Sequence, residues 1–310
     1  MSIKRRTFIK KTAMAGGAAL LPNYEAESKD NRPDFKVPAK FNTIILATNW
    51  GFQGSFDEFC AKAKESGYDG IEVWLPWEED KRKDLMRAIE KHDLQFGFLA
   101  AGSGGDFLNH FDGFKASVEA ALTYEPLFVN CHSGKDFFSF ENNKKIIDYS
   151  LDRSAETGIP IYHETHRGRI LYSTIAAKQF LEAIPDLRLT LDISHWTNVH
   201  ESMLEDQPEI IELALSRTDH IHSRVGHREG PQISDPRAPE WEPELNIHFS
   251  WWDRVLKQKL RTGATSITMT TEFGPPGYMP ALPYTRQPIA DLWEINTHMM
   301  KLWRERYASF

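Results

Sequence analysis

The sequence predicts an α/β fold in a single domain, a (β/α)8 TIM barrel. Three observations carry that expectation. Eight short β-branched or apolar runs recur between residues 43 and 272, and segments with helical spacing separate them. The chain that holds them is about 265 residues long, close to the ~250 that eight strand–helix units occupy.

The runs are Thr43–Thr48, Gly70–Leu75, Gln95–Ala100, Leu127–His132, Ile159–Glu164, Arg188–Asp192, His220–Arg224 and Ser266–Glu272. Helical periodicity follows in Phe56, Phe59, Cys60 and Ala63, in Ile146, Ile147, Tyr149, Ser150 and Leu151, and in Ile210, Ile211, Leu213 and Leu215. The last helix is expected over Ile289–Tyr307, with Leu292, Ile295, Met299 and Leu302 on one apolar face. Near-continuous apolar strands alternating with amphipathic helices imply a parallel sheet covered by helices. An open doubly wound sheet would carry a Gly-rich phosphate turn after its first strand, and Thr48-Asn49-Trp50-Gly51-Phe52 is not one. Gly102-x-Gly104-Gly105, after the third strand, has the wrong spacing for a dinucleotide fingerprint. The Pro-rich, polar stretch Val225–Leu245 is a long loop, expected to be a lid or insertion. The barrel is expected to span 42–308.

Residues 1–30 read differently. Lys4-Arg5-Arg6-Thr7-Phe8-Ile9-Lys10-Lys11 is basic, and Thr12–Leu21 is a run of small and apolar residues too short to span a bilayer. A charged segment followed by such a run reads as an export signal, and the arginine pair resembles the twin-arginine type. The expectation is an exported, periplasmic protein with no stable membrane insertion once the signal is removed. Cleavage near Ala26 takes away five Lys/Arg and one Asp/Glu and moves the net charge from −7 to about −11. A chain that acidic is not a general polyanion binder, so nucleic acid is not expected as a partner. Its two cysteines, Cys60 and Cys131, make neither a disulfide framework nor a cysteine zinc site.

In a barrel the C-terminal strand ends carry the active site. Here they read Glu72, His132, Glu164 with His166, Asp192 with His195, His220 with His222, and Glu272. Acids and imidazoles that repeatedly end apolar strands are costly to bury unless something neutralises them, and a divalent cation does. Asp192, at a strand–helix junction, equally suits a helix N-cap. His220 is expected to face the helices and His163 to face outward. Arg167 and Arg169 suit either an anion or the stability of their loop.

Four motifs, Tyr162-His163-Glu164-Thr165-His166, Leu191-Asp192-Ile193-Ser194-His195-Trp196, His220-Ile221-His222 and Thr271-Glu272-Phe273-Gly274, resemble in order and position the sugar isomerase/epimerase branch of the xylose isomerase-like barrels. The resemblance implies metal ligands at Glu164, Asp192, His222 and Glu272, with Glu164 and Glu272 as the paired catalytic acid and base. It implies substrate contacts from His195 and Arg228. His132, Glu72, Trp50 and Trp196 are added as expected site walls. Three carboxylates and an imidazole suit Mn²⁺, Mg²⁺ or Co²⁺, and Zn²⁺ also fits. The expected reaction is proton abstraction next to the carbonyl of a sugar or keto-sugar through an enediolate, giving an isomerase or epimerase. A lyase on keto-sugars or 3-keto-glycosides would use the same site. The apurinic endonuclease relative needs an extra Asp-x-His after the seventh strand, which 226–236 lacks. A non-catalytic sugar-binding barrel would have lost an acid or base. Members of the branch are often homo-oligomers.

Overall fold

The structure, a computed structural model, describes residues 33–308; the export-signal reading of 1–30 lies outside them. Eight parallel strands close into a barrel: β1 (Asn42–Thr48), β2 (Gly70–Trp74), β3 (Gln95–Ala101), β4 (Val129–His132), β5 (Ile161–Glu164), β6 (Leu189–Leu191), β7 (Thr218–His222) and β8 (Ser266–Thr271). Strand β8 pairs with β1 from Asn42↔Ser266 to Ala47↔Thr271, so no sheet edge is left open. The helices among the described residues are α1 (Phe56–Ser66), α2 (Glu79–Lys91), α3 (Phe107–Leu122), α4 (Phe140–Thr157), α5 (Thr174–Ala183), α6 (Ser194–Val199), α7 (Pro208–Ser216), α8 (Glu242–Arg261) and α9 (Leu292–Arg306). None is long and apolar enough to cross a membrane.

Local chemistry sets the boundaries. Ser55 accepts from the Glu58 amide while the Glu58 carboxylate accepts from the Ser55 amide, a capping box that starts α1. Gly67, at φ 96°, stops it in the left-handed conformation that a β-carbon would strain. Outward-facing strand residues such as Ile45, Ile71, Val73, Cys131, Leu189, Leu191 and Ile221 are buried in one apolar core with the inner faces of the helices. Inside the barrel, Ile44, Leu46 and Phe128 form a small apolar plug. A polar layer of Glu72, Asn130 and His220 lies above it, all three buried.

Two expectations about surfaces change. Helix α9 buries Ile295, Asn296, Met299, Met300 and Trp303, so its face is turned from the expected one and Leu292 and Leu302 lie at its margin. The rotation follows from Asn296, whose Oδ1 accepts from the Phe273 amide at 2.9 Å and whose Nδ2 donates to the Phe273 carbonyl at 3.1 Å. The long loop after β7 gives way at Glu242 to α8 and is tied down: Gln232 exchanges two hydrogen bonds with the Gly274 backbone, at 3.2 and 2.7 Å.

Candidate metal centre and pocket

Glu164 ends β5 and His222 ends β7, while Asp192 and Glu272 each lie one residue past a strand end. Parallel strands in register bring these four to one level, and one donor atom from each lies within 4.8 Å of the others. All four residues are buried. Burial pushes the Glu164 carboxyl up, but His132 and His222 outweigh it and hold it well below the usual range. Burial beside Glu272 and Glu164 pushes Asp192 up to about 6 against the pull of Arg224. Burial opposes a charge on His222, yet Glu272, Glu72 and Glu164 raise its proton affinity well above the ordinary value. The carboxylates that attract this proton would equally attract a cation.

The donor set fits a divalent ion. Oε1 of Glu164, Nδ1 of His222 and Oε2 of Glu272 are buried without a hydrogen-bond partner, though Nδ1 and Oε2 are only 2.8 Å apart. The other His222 nitrogen, Nε2, is fixed 2.9 Å from Oε2 of Glu72, the arrangement that orients a ligating imidazole. Asp192 is more committed. Its Oδ1 accepts from the Ser194 amide at 3.2 Å, and its Oδ2 pairs with Nη2 of Arg224. Ile193, not Asp192, is the N-cap residue of α6, so Asp192 lies one position before the cap and accepts from the helix's first amide.

Arg224 is the largest feature the sequence reading did not include. It is buried, and its guanidinium reaches Asp192, lies 3.3 Å from Oε2 of Glu272 and donates to Nε2 of His195 at 3.0 Å. Two residues past His222, it continues the same inward parity, which was the available signal. Its guanidinium also lies 4.6 Å from the ring centre of Tyr278, with Arg167 at 4.9 Å from the same ring. Tyr278 comes from the loop after β8 and carried no local signal.

A cavity of about 180 Å³ opens above the cluster, lined by Trp50, Trp74, His132, His166, Arg224, Glu272 and Tyr278 among others. Of the six residues expected as substrate contacts or site walls, Trp50 and His132 are there. The other four are elsewhere. Glu72 is one layer down, where it accepts from Asn130 at 3.0 Å and lies 3.1 and 2.9 Å from Nε2 of His220 and His222; it holds His222 and does not line the cavity. Buried Trp196 donates Nε1 to the Leu171 carbonyl at 2.9 Å and belongs to the core. Arg228 is turned to the surface and pairs with Glu205 at 3.0 Å, away from the cluster. His195 is buried beneath His166, their ring centres 3.9 Å apart, and is held by Arg224. His220 is inside the barrel, because residues two apart on a strand share a face. His163 does face outward, into the helix layer, between the hydroxyls of Ser133 and Ser150 at 2.6 Å each.

His132, His166 and His195 form a ring-to-ring row beside Glu164, with centres 4.8 and 3.9 Å apart. Nδ1 of His166 donates to the Arg167 carbonyl at 2.6 Å, which leaves Nε2 as its lone-pair nitrogen. Burial, then the His132 charge, lowers His166 to about 3, so it is neutral at pH 7.

An eight-stranded closed barrel with acids and imidazoles gathered at its C-terminal face defines an enzyme-type TIM barrel. The family described as a xylose isomerase-like TIM barrel matches residues 60–239, and the chain belongs to it. No curated protein matches the sequence. Among solved structures, a 3-keto-D-glucoside 4-epimerase from E. coli superposes with a TM-score of 0.55 at 14% identity, over 85% of this chain and 100% of that one. A probable 3-DHS dehydratase from Bacillus anthracis gives 0.56 at 15% identity, over 86% and 100%. A D-tagatose 3-epimerase-like protein gives 0.56 at 14% identity, over 84% and 96%. At such identities the likeness is one of fold.

Proposed function

We propose that this protein is a divalent-metal-dependent isomerase or epimerase that moves a proton next to the carbonyl of a sugar or keto-sugar. The observation that carries the reading is the Glu164–Asp192–His222–Glu272 cluster, with donor atoms within 4.8 Å of one another under a small cavity. A divalent ion held by these four residues would polarise a carbonyl and its neighbouring hydroxyl. Glu272 borders the cavity and takes the C–H proton, while Glu164, 2.5 Å from Nε2 of His132, would pass to the opposite face a proton relayed from that imidazole. Arg224 offers a fixed positive charge where an enediolate oxygen gains negative charge. Trp50 and Tyr278, edge to face at 4.9 Å, roof the cavity and keep water from the reacting carbon.

A lyase or dehydratase on keto-sugars or 3-keto-glycosides is the second reading. The imidazole of His132 in the cavity wall favours it, because elimination needs a proton donor for the departing oxygen. Epimerase and dehydratase both occur among the structural neighbours, and both reactions begin with the same abstraction.

The test is solvent exchange. Metal-loaded protein incubated in D2O with ketohexoses and 3-keto-glucosides should place deuterium next to the carbonyl, read by NMR. Chelator and Glu272→Gln should each stop it. Absence of exchange across the panel overturns the reading, and the product, epimer or released aglycone, separates its two forms. We also propose export of the folded protein through the twin-arginine pathway; a reporter carrying residues 1–30 that is secreted equally without that pathway would refute it.

A further inference from the structure

The cavity has one closed side and one open side. At about 180 Å³ it is smaller than the ~300 Å³ at which pockets for drug-sized ligands begin, so it takes a single ring. Toward β1 and β8 it is shut by Trp50 and Tyr278. Gly274 packs so tightly there that a β-carbon would meet the Trp50 indole at 2.4 Å. Over β3 the wall is nearly bare. The loop is Gly102-Ser103-Gly104-Gly105, its last three residues exposed, and a β-carbon on Gly105 would meet nothing within 4 Å.

The loops on either side of that gap carry exposed aromatic rings. Trp74, 47% exposed, ends β2 and Trp77, 67% exposed, follows it; after β4 comes Phe137, 69% exposed. Trp74 borders the cavity and meets His132 edge-on at 5.2 Å, across the end of β3, while the rest of its indole is in solvent. The backbone that presents the two indoles is clamped. Arg82 on α2 donates Nε to the Pro76 carbonyl at 2.6 Å and Nη2 to the Trp77 carbonyl at 3.0 Å. An indole that borders the cavity at Trp74, with a second exposed indole three residues on along a pinned backbone, makes a stacking platform for an apolar face. The next three residues, Glu78, Glu79 and Asp80, pair with Lys81 and Lys83, so this loop offers a phosphorylated ligand no net positive charge.

From this we infer a second subsite, in which Trp74 and Trp77 stack the second ring of an uncharged glycoside whose reacting sugar occupies the cavity. The inference rests on the reading of the cavity as a sugar site and adds the size and charge of the substrate. The test is calorimetric titration of the metal-loaded protein with methyl, phenyl and glucosyl 3-keto-glucosides. The phenyl and glucosyl compounds should bind roughly tenfold more tightly than the methyl compound. Trp77→Ala, outside the cavity and exposed, should abolish that difference and leave the methyl compound's affinity unchanged. Equal binding of all three to the parent protein, or an unchanged difference in Trp77→Ala, overturns the subsite and leaves the sugar reading standing. If none of the three binds, both fall.

Discussion

Removal of the Arg224 guanidinium is the sharpest test of how this site is balanced. Arg224→Met keeps most of the buried aliphatic volume and deletes the charge that faces Asp192, Glu272 and His195. Asp192 has no exposure to solvent, so its carboxylate is left with the Ser194 amide and hydroxyl and with Nε2 of His195 at 3.6 Å. Breaking one partner out of a buried ion pair costs about 3–5 kcal/mol. At roughly 2–4 °C per kcal/mol for a domain somewhat smaller than this one, the melting temperature in chelator should fall by about 10 °C. A divalent ion changes the comparison. The variant lacks a positive charge beside the ligands and frees Oδ2 of Asp192, so it should bind Mn²⁺ more tightly than the parent. Binding at 100 times Kd adds about 2.7 kcal/mol, and each further tenfold in affinity about 1.4 kcal/mol more. The assay is a pair of thermal melts, with chelator and with Mn²⁺, and the gap between variant and parent should narrow when Mn²⁺ is present. Equal melting in chelator would refute the buried pair. A gap that widens with Mn²⁺ would refute the reasoning about charge, because Arg224 would then be helping to hold the ion.

Buried His248 donates Nδ1 to the Glu244 carbonyl at 2.8 Å and accepts from the Gly226 amide at 3.1 Å, so only its neutral form fits. Burial lowers it to about 4, below the unfolded value near 6.5, so the unfolded chain takes up the proton first. Stability is complete above pH ~6.5 and should decline by about 3 kcal/mol as the pH falls to 4; urea titrations should show a flatter decline in His248→Gln. Asn296→Ala removes both bonds to the Phe273 backbone beside Glu272 and strands a buried amide, a loss of about 1–3 kcal/mol in the same titrations. Gly274→Ala should displace the Trp50 indole and lower kcat/KM at least tenfold while the protein still melts cooperatively, because the clash is with the cavity wall and not the core. Glu164→Gln should abolish deuterium exchange and retain weak metal binding by direct titration; full exchange would remove its acid–base role.

What was legible in the sequence follows one physical boundary. Along a strand the side-chain direction alternates, and burying an acid among apolar neighbours is costly, so Glu164, Asp192, His222 and Glu272 announce themselves at the ends of otherwise apolar runs. The same alternation, carried two residues further, identifies Trp74 from Glu72 and Arg224 from His222, and it places His220 inside the barrel. Beyond the strand ends it carries no information. Arg228, six residues past His222, belongs to a loop whose course is set by Gln232 on Gly274 and by the Ile233 amide on Val225, and that course turns it out to Glu205. Trp196 stands beside His195 in the chain, yet α6 rotates it into the core, where its Nε1 finds the Leu171 carbonyl. Tyr278 reaches the cavity only because the loop after β8 folds back over two guanidinium groups contributed by the segments after β5 and β7. Each of these three positions depends on contacts with distant parts of the chain. The ligands therefore read as a sequence pattern, whereas the walls that decide what substrate fits are a tertiary property.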